Sequence, residues 1–456
     1  MKPIVSFSRI PILVIVFFLS ACQKEIKEIE QEPVTRSEKN ATDHGHLNQT
    51  KTFSSEVAQK WQDLQMRFLR LTGGNIFGMN GNRYFAYLGI GLYEAVVPGM
   101  PSYQSLHGQL TDMPVMPKTE PGKAYYWPAS ANAVLAELNR KFYTVISSQN
   151  KLAIDSLEAA LNAVYQTEVN SETFLRSVNF GKEVANLIFN WSVTDGSLTT
   201  YPAYSPAPGA GLWSPTAPNP ATSFAPYWGL NRLFVQGSLN GTDSPLPPPY
   251  STDPNSDYFA MVKEVYDISQ TLTPAQQATA LYFRDNPGFQ SGTHYISIFN
   301  QVMNKEDLSL DKYAVAHART GIAIAESQIG CWKLKYSVRV DRPIRYIRNV
   351  MGHTAWNPLL STPPHPEFPS GHSQTGGALA AVMTSLFGDN YSITLHTYDN
   401  LGMSPRSYQS FFDMVDDIGM SRVYAGIHYR YTCVESTKQG ARIANNILNA
   451  LKFKKE

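Results

Sequence analysis

The chain has 456 residues, of which 43% are hydrophobic and 16% are charged. This apolar share supports a sizeable core and excludes a disordered protein. Its 38 Lys+Arg and 37 Asp+Glu leave a net charge of +1, which argues against a protein held to nucleic acid by a general positive field. The three cysteines exclude a disulfide-rich scaffold and a multi-cysteine zinc site.

The first 22 residues have the pattern of a secretory signal. A basic start precedes the apolar run 10–19, which is too short for a permanent membrane helix. Its end, Leu19-Ser20-Ala21-Cys22, resembles the lipobox of bacterial lipoproteins, although an ordinary secretory signal with an accidental cysteine is the alternative. We therefore expect lipidation at Cys22 and a polar tether over 23–50. The protein would then sit in the bacterial envelope, facing the periplasm or the exterior, and would meet the membrane only through this anchor.

The body has the apolar spacing of helices, with repeats every three or four residues. The predicted helical segments are 55–71, 83–97, 130–147, 151–165, 171–193, 256–268, 308–337, 371–388, 406–425 and 436–452. A further helix start is marked by Thr273 as N-cap, Pro274 at the first position and Gln276 at the third, which together form a capping box. Alternation of period two is absent, so any strands should be short.

Prolines and glycines interrupt the helical pattern over 200–250, which is also rich in aromatic residues. We expect an ordered loop packed on the body. The predicted fold is therefore all-α, a large helical bundle with long ordered loops. Its N-terminal helical part would cover 51–255, and a second helical part over 256–456 would carry the functional site.

Ligand-type side chains concentrate in three clusters in the last third of the chain. The clusters are Lys335 with Arg342-Pro343, then Pro369-Ser370-Gly371-His372, and then Ser421-Arg422 with His428. Three cations suit a multiply charged tetrahedral anion, because guanidinium and ammonium groups bind its oxygens. The second cluster opens a helical pattern, whose free N–H groups add an anion-binding end. Two histidines provide a ligand for the central atom and a group that moves protons.

In this order and at these spacings, the clusters resemble the tripartite signature shared by type 2 phosphatidic acid phosphatases and vanadium-dependent haloperoxidases. The motifs span about 335–432, and the family domain would extend from about 255 to 452. The resemblance implies a helical bundle with a vanadate or phosphate site at its heart.

The resemblance also implies a role for each motif residue. Lys335, Arg342 and Arg422 would bind equatorial oxygens of vanadate or phosphate, and Ser370 and the Gly371 amide would bind further oxygens. His428 would be the axial ligand of vanadium, or the nucleophile towards a phosphate ester. His372 would be the acid–base on the opposite side.

One position departs from the family pattern, in which an aspartate follows the axial histidine four residues later. Here that position is Thr432, which offers a hydroxyl but no charge. Loss of such a carboxylate typically costs about 10–100-fold in affinity or activity. We expect a less basic His428 unless another carboxylate substitutes, and Glu435 is the nearest in sequence.

Two residues favour the haloperoxidase branch. Trp332 resembles the tryptophan that haloperoxidases place beside the site, although core packing is the alternative. His365 lies where bromide-type enzymes tend to have histidine and chloride-type enzymes phenylalanine, although it could be a plain loop residue. His294, at another helix start, has no assigned role beyond packing or capping.

Three functions remain open on the sequence. The first is a vanadate-dependent haloperoxidase that uses hydrogen peroxide to oxidise halide, iodide or bromide above chloride, and then halogenates a small organic acceptor. The second is an acid phosphatase that acts through a phospho-histidine at His428. The third is a catalytically weakened, anion-binding surface lipoprotein, which Thr432 favours. In the first case phosphate should compete for the vanadate site.

The two remaining cysteines, Cys331 and Cys433, each lie about one helical turn from a motif residue. In an oxidising compartment they could form a disulfide around the site, and two buried thiols are the alternative.

Overall fold

The computed structural model describes residues 48–70, 77–216, 222–285, 288–289 and 293–456. The predicted signal peptide, its Cys22 and the tether up to residue 47 lie outside these residues. The last predicted tether residue, Thr50, is buried and opens a short 3-10 turn, Thr50–Thr52, so the folded body begins slightly earlier than expected.

Helices account for almost all regular structure in the described part of the chain, which confirms the all-α prediction. They are α1 (Glu56–Leu69), α2 (Asn80–Val96), α3 (Trp127–Phe142), α4 (Ser148–Glu168), α5 (Ser171–Ser192), α6 (Asp257–Gln270), α7 (Pro274–Tyr282), α8 (His294–Glu306), α9 (Leu310–Val338), α10 (Pro343–Asn349), α11 (Gly371–Phe387), α12 (Phe411–Tyr424) and α13 (Arg430–Ala450). Two three-residue strands, β1 (Ile393–Leu395) and β2 (Arg406–Tyr408), pair antiparallel.

Local signals explain where several helices begin. The capping box at Thr273 is present, with both of its reciprocal hydrogen bonds. The prediction of helix from residue 406 is wrong, because 406–408 form β2 and the Ser410 side chain caps α12 by accepting a hydrogen bond from the amide of Asp413. Helix α13 begins at Arg430, six residues before the predicted start at 436.

The longest helix, α9, packs between α2 and α11, and α11 in turn packs against α13. Glycine allows the closest of these contacts. A Cβ on Gly377 of α11 would come 2.1 Å from the Thr437 carbonyl oxygen, and a Cβ on Gly440 of α13 would come 1.9 Å from that of Gln374. The backbones of α11 and α13 therefore touch, which fixes the helix ends that carry the second and third motifs.

The described part of the loop 200–250 contains no α-helix and lies against α9. The Trp213 amide donates a hydrogen bond to the Arg339 carbonyl at 2.7 Å, and Gly229 sits directly on the backbone of Lys333. The predicted division near residue 255 stays a prediction. Helices α2 and α9, which lie on its two sides in the sequence, contribute to the same hydrophobic cluster. Among the described helices, none is both long and apolar enough to span a bilayer.

Candidate active site

The residues of the three motifs lie at helix ends that meet around one cavity of about 370 Å³. Lys335 is in the last turn of α9, Arg342 is the N-cap of α10, Ser370 is the N-cap of α11, and Arg422 is in the last turn of α12. His428 lies in the short link between α12 and α13. The cavity walls include Trp332, His365, Gly371, His372, Arg422 and His428. The structure thus brings together residues that are up to 93 positions apart in the chain.

Three cations are buried at this place. Lys335 and Arg342 are 0% exposed and Arg422 is 3% exposed. Among the described residues, none of the three forms an ion pair with a carboxylate. Buried charges normally have such a partner, because desolvation is costly.

Neutral oxygens hold these cations instead. The Lys335 ammonium donates to the carbonyls of Pro366 at 2.8 Å and Glu367 at 3.0 Å, and also to that of Pro369. The Arg422 guanidinium donates to the Ser421 hydroxyl at 3.0 Å. All three ammonium protons of Lys335 are therefore engaged by the loop before α11, and its charge acts from behind the cavity wall.

Burial lowers the pKa of Lys335 to about 7 and that of Arg342 to about 10. Burial also lowers the pKa of Arg422, against the opposing effect of Asp285. The direction is the same in all three, since each charged form has lost water without gaining a paired carboxylate. A bound anion would reverse this shift and stabilise the charged forms.

The N-terminus of α11 faces the cavity. Ser370 caps the helix, and its hydroxyl accepts hydrogen bonds from the amide of Ser373 at 3.3 Å and from its hydroxyl at 3.2 Å. Gly371, the first helical residue, leaves room beside Trp332, whose ring would lie 3.2 Å from a Cβ at this position. This end therefore presents unshielded N–H groups to an anion.

His428 is held in one orientation by hydrogen bonds to both ring nitrogens. Its Nδ1 lies 2.7 Å from Oε1 of Glu367, and its Nε2 lies 3.1 Å from Nη1 of Arg342. Burial lowers the pKa of His428 well below its usual value, and the charges of Arg342 and Lys335 lower it further. The neutral ring then donates from Nδ1 to Glu367 and keeps a lone pair on Nε2, which is the state that a metal ligand requires.

The carboxylate beside His428 comes from Glu367 and not from Glu435, the nearest candidate in sequence. Glu435 pairs with Lys438 on the surface of α13 at 2.7 Å. Thr432 donates its hydroxyl to Oε2 of Glu367 at 2.8 Å. The sequence pattern assigns no role to Glu367, because 61 residues separate it from His428.

His372 faces a second carboxylate, which no motif had indicated. Its Nε2 lies 3.2 Å from Oδ1 of Asp285, just beyond the end of α7. Burial would raise the pKa of Asp285, but the charge and hydrogen bond of His372 outweigh burial and lower it to about 2. Asp285 therefore stays ionised and orients the imidazole that the resemblance names as the acid–base.

His294 lies beside this pair, with its ring centroid 5.4 Å from that of His372. Both of its ring nitrogens are buried and have no hydrogen-bond partner among the described residues. Ligating atoms of Asp285, His294 and His372 lie within 4.8 Å of one another, a spacing that a metal ion could bridge. The cations Arg284 and Arg422 line the same cavity, however, and disfavour a further cation there.

Trp332 and His365 form one wall, with ring centroids 5.4 Å apart. The His365 carbonyl accepts from Nε of Arg342 at 3.0 Å, and its Nδ1 lies 3.1 Å from Nη2 of the same guanidinium. Burial lowers the pKa of His365 well below its usual value, and Lys335 and Arg342 add to this effect. A neutral imidazole therefore stands beside the cations.

The hypothesis of a Cys331–Cys433 disulfide is contradicted, since both cysteines are free and buried. The Cys331 thiol lies 3.8 Å from the Pro369 carbonyl oxygen, and Cys433 interacts with the hydroxyls of Ser373 and Ser370. Each thiol thus packs against the α11 end of the site rather than against the other.

This donor set fits vanadate. Three buried cations without carboxylate partners, the open N-terminus of α11 and the Nε2 lone pair of His428 all point to one oxyanion with a central atom that accepts a nitrogen ligand. The Nε2 atom of His428 contacts the guanidinium of Arg342, whose N–H groups could instead donate to an oxygen of the anion.

The fold and site therefore define a class of helical proteins with an oxyanion centre at converging helix ends. The family model described as the VCPO second helical-bundle domain matches residues 316–454. The structure described as that of the first bacterial vanadium-dependent iodoperoxidase matches with a TM-score of 0.78 and 29% identity, over 89% of this chain and 98% of that chain.

A holo-type bacterial vanadium-dependent chloroperoxidase matches with a TM-score of 0.64 and 16% identity, over 84% of this chain and 95% of that chain, which shows the shared fold. A comparison with curated protein sequences finds no significant match. These matches support the assignment to the vanadium haloperoxidase/type 2 phosphatidic acid phosphatase superfamily that the three motifs predicted.

Proposed function

We propose that this protein is a vanadate-dependent haloperoxidase that uses hydrogen peroxide to oxidise iodide or bromide. The observation that carries the proposal is the cluster of three buried cations around the neutral, carboxylate-held His428. Its likeness to a bacterial iodoperoxidase at 29% identity supports the same assignment.

Each residue has a role that follows from its surroundings. His428 would ligate vanadium through Nε2, while Arg342, Arg422 and the more distant Lys335 balance the charge of the anion. Ser370 and the Gly371 amide would donate to further oxygens. Bound vanadate supplies the Lewis-acidic centre that makes peroxide a better oxidant of halide.

His372 lies on another side of the cavity from His428 and would move protons to and from peroxide and water. Asp285 holds its ring in place. The hydrophobic side chains of Trp332 and Phe224 close that part of the cavity and limit the access of water. The product would be a hypohalous species that reacts with a small organic acceptor.

The choice of iodide or bromide rests on His365 and on the iodoperoxidase match. A neutral imidazole against Arg342 gives the cavity wall a polar, hydrogen-bonding surface where a phenyl ring would give an apolar one. The contacts of Glu367 speak against a catalytically weakened protein, since Glu367 gives His428 the carboxyl partner that Thr432 does not provide.

The test loads the purified protein with orthovanadate and measures peroxide-dependent oxidation of iodide and bromide beside hydrolysis of p-nitrophenyl phosphate. We expect halide oxidation that depends on vanadate and is suppressed by excess phosphate. Phosphate-ester hydrolysis without any halide oxidation would instead assign the phosphatase function.

We also propose that the protein is anchored to the bacterial envelope through a lipid on Cys22, with the folded body outside the cytoplasm. The lipobox-like sequence supports this proposal. Mass spectrometry of the mature N-terminus tests it, because lipidation predicts a diacylglyceryl-modified cysteine as the first residue. A mature chain that begins at any other residue would contradict the anchor.

A further inference from the structure

The carboxylate of Glu367 is the centre of a closed set of hydrogen bonds around His428. Glu367 is 0% exposed. Its Oε1 accepts from Nδ1 of His428 at 2.7 Å and from the Tyr429 amide at 3.1 Å, and its Oε2 accepts from the Thr432 hydroxyl at 2.8 Å. Both carboxylate oxygens are therefore committed to the segment that carries His428.

These bonds fix the imidazole and its backbone at the same time. An acceptor at Nδ1 selects the tautomer in which Nε2 carries the lone pair, and the bond from the next residue's amide holds the ring relative to the chain.

Glu367 is itself held in place by backbone contacts. Its amide donates to the Val340 carbonyl at 2.9 Å, and its carbonyl accepts from the Lys335 ammonium at 3.0 Å. A motif cation thus fixes the loop that carries the carboxylate, so the position of the side chain does not depend on the bound anion alone.

We propose that Glu367 is the positioning residue of His428, and that Thr432 is its matched partner. A threonine suits position 432 because it donates to Oε2, whereas a carboxylate there would face another carboxylate at hydrogen-bond distance. The loop before α11 has in this way taken over the role that a residue one turn into α13 could have filled. The part of this inference that concerns vanadate rests on the proposed function, while the part that concerns the histidine tautomer does not.

The first arm measures the dissociation constant of orthovanadate by equilibrium dialysis. Glu367→Gln keeps an acceptor for Nδ1 and removes the charge, and we expect affinity to fall about 10–100-fold. Adding Thr432→Asp to that variant returns a carboxylate to His428 from the other side and should restore most of the affinity. Glu435→Gln is the matched control, since that carboxylate pairs with Lys438 on the surface and should leave affinity unchanged.

The second arm needs no vanadate. In protein with ¹⁵N-labelled histidine, long-range ¹H–¹⁵N correlations report which ring nitrogen of His428 carries the proton. We expect one tautomer, protonated at Nδ1, in the wild type and in Glu367→Gln. We expect mixed tautomers in Glu367→Met, which has no acceptor, and recovery in the Glu367→Met/Thr432→Asp double variant. A merely structural glutamate would change the unfolding temperature without this pattern of loss and rescue.

The outcomes separate the positioning role of Glu367 from the proposed binding of vanadate. Wild-type affinity for vanadate in Glu367→Gln, or an unchanged His428 tautomer in Glu367→Met, overturns the positioning role. If the wild type binds no vanadate, the proposed function fails, and the tautomer arm still decides the role of Glu367. Should Glu367→Met not fold, Thr432→Val removes only the hydroxyl on Oε2, and a drop in affinity of about 2–10-fold is then expected.

Discussion

Buried arginines in two regions of this protein have opposite surroundings. Arg83, on α2, is 5% exposed, and its Nε donates to Oδ2 of Asp195 at 2.5 Å, while Tyr87 donates to the same carboxylate oxygen at 2.9 Å. Arg422, at the end of α12, is equally buried, yet its acceptors among the described residues are the Ser421 hydroxyl and, at 3.3 Å, the carbonyl of Ala280. The first cation has a carboxylate partner, and the second has none within ion-pair distance in the described part of the chain.

A buried carboxyl group, that of Glu326, likewise has all of its hydrogen-bond partners within the protein. Glu326 accepts hydrogen bonds from the amides of Phe234 and Val235, at 2.7 and 3.0 Å, and from the Ser238 hydroxyl at 2.5 Å. The hydrogen bonds around Arg83 and around Glu326 hold the N-terminal loops to the helices. Among the described residues, the active-site cations form no ion pair with a carboxylate, so the comparison separates a structural ion pair from a binding site for an anion.

The largest effect should come from His372, which lines the open cavity without holding the anion. His372→Ala should retain vanadate but lose about 10²–10⁴-fold in halide oxidation, because it removes the group that moves protons. Steady-state assays at saturating vanadate measure this loss. The control is His396→Ala, since His396 also pairs with an aspartate, Asp399, but is exposed. Equal losses in both variants would contradict the role of His372.

The ion pair between Arg83 and Asp195 should matter for the stability of the fold rather than for vanadate binding. Arg83→Ala leaves Asp195 buried without its cation and should lower the free energy of unfolding by about 3–5 kcal/mol. Urea unfolding of the vanadate-free protein checks this value. Arg422→Ala leaves no buried carboxylate with a lost ion pair and should cost clearly less in the same measurement. If Arg422→Ala were the more destabilising variant, the distinction between the two regions would be lost.

For vanadate binding, Arg422→Ala should have a larger effect than Arg83→Ala. Arg422→Ala removes one charge-assisted contact to the anion and should weaken vanadate binding by about 10–100-fold, or about 1.5–3 kcal/mol. Equilibrium dialysis against orthovanadate measures the change. Arg442→Ala is a control on the surface of α13, where the guanidinium bonds to the Thr242 carbonyl. Affinity in Arg442→Ala should equal that of the wild type.

The most gradual effect concerns the pH dependence of stability at Glu326. Burial raises its pKa to about 7, against the lowering effect of its three hydrogen bonds. The folded state therefore binds more protons than the unfolded state, so this stabilising contribution is full below about pH 4.5 and is lost as the pH rises towards 7. Glu326→Gln should flatten the pH profile of the unfolding free energy in this window, by up to about 1.4 kcal/mol per pH unit. A profile parallel to that of the wild type would exclude the shifted titration.

The sequence reveals the parts of this site that local patterns encode. Apolar spacing predicts the helices, and the motif spacing leads to Lys335 and His428, which the structure then brings together at helix ends. It does not reveal Glu367 as the partner of His428, because that contact spans 61 residues and depends on how α11 packs against α13. Asp285 was missed for the same reason, since it follows α7 without any motif and reaches His372 only in the folded chain.

Local sequence patterns also gave wrong predictions at positions whose structure depends on tertiary contacts. The predicted helix over 406–425 includes residues 406–408, which instead pair as a strand with 393–395. The interpretation of Cys331 and Cys433 relied on their distance along helices from a common centre, and that distance does not determine the directions of their side chains.

The most direct test of the central claim is the affinity of the vanadate-free protein for orthovanadate, measured by equilibrium dialysis in the wild type and in His428→Ala. The cations of the cavity remain in the variant, and only the nitrogen ligand is lost. The account predicts saturable binding of one vanadate per chain in the wild type and no measurable binding in His428→Ala. Equal affinity in the two proteins would show that the site is a general anion pocket and that His428 is not the ligand of vanadium.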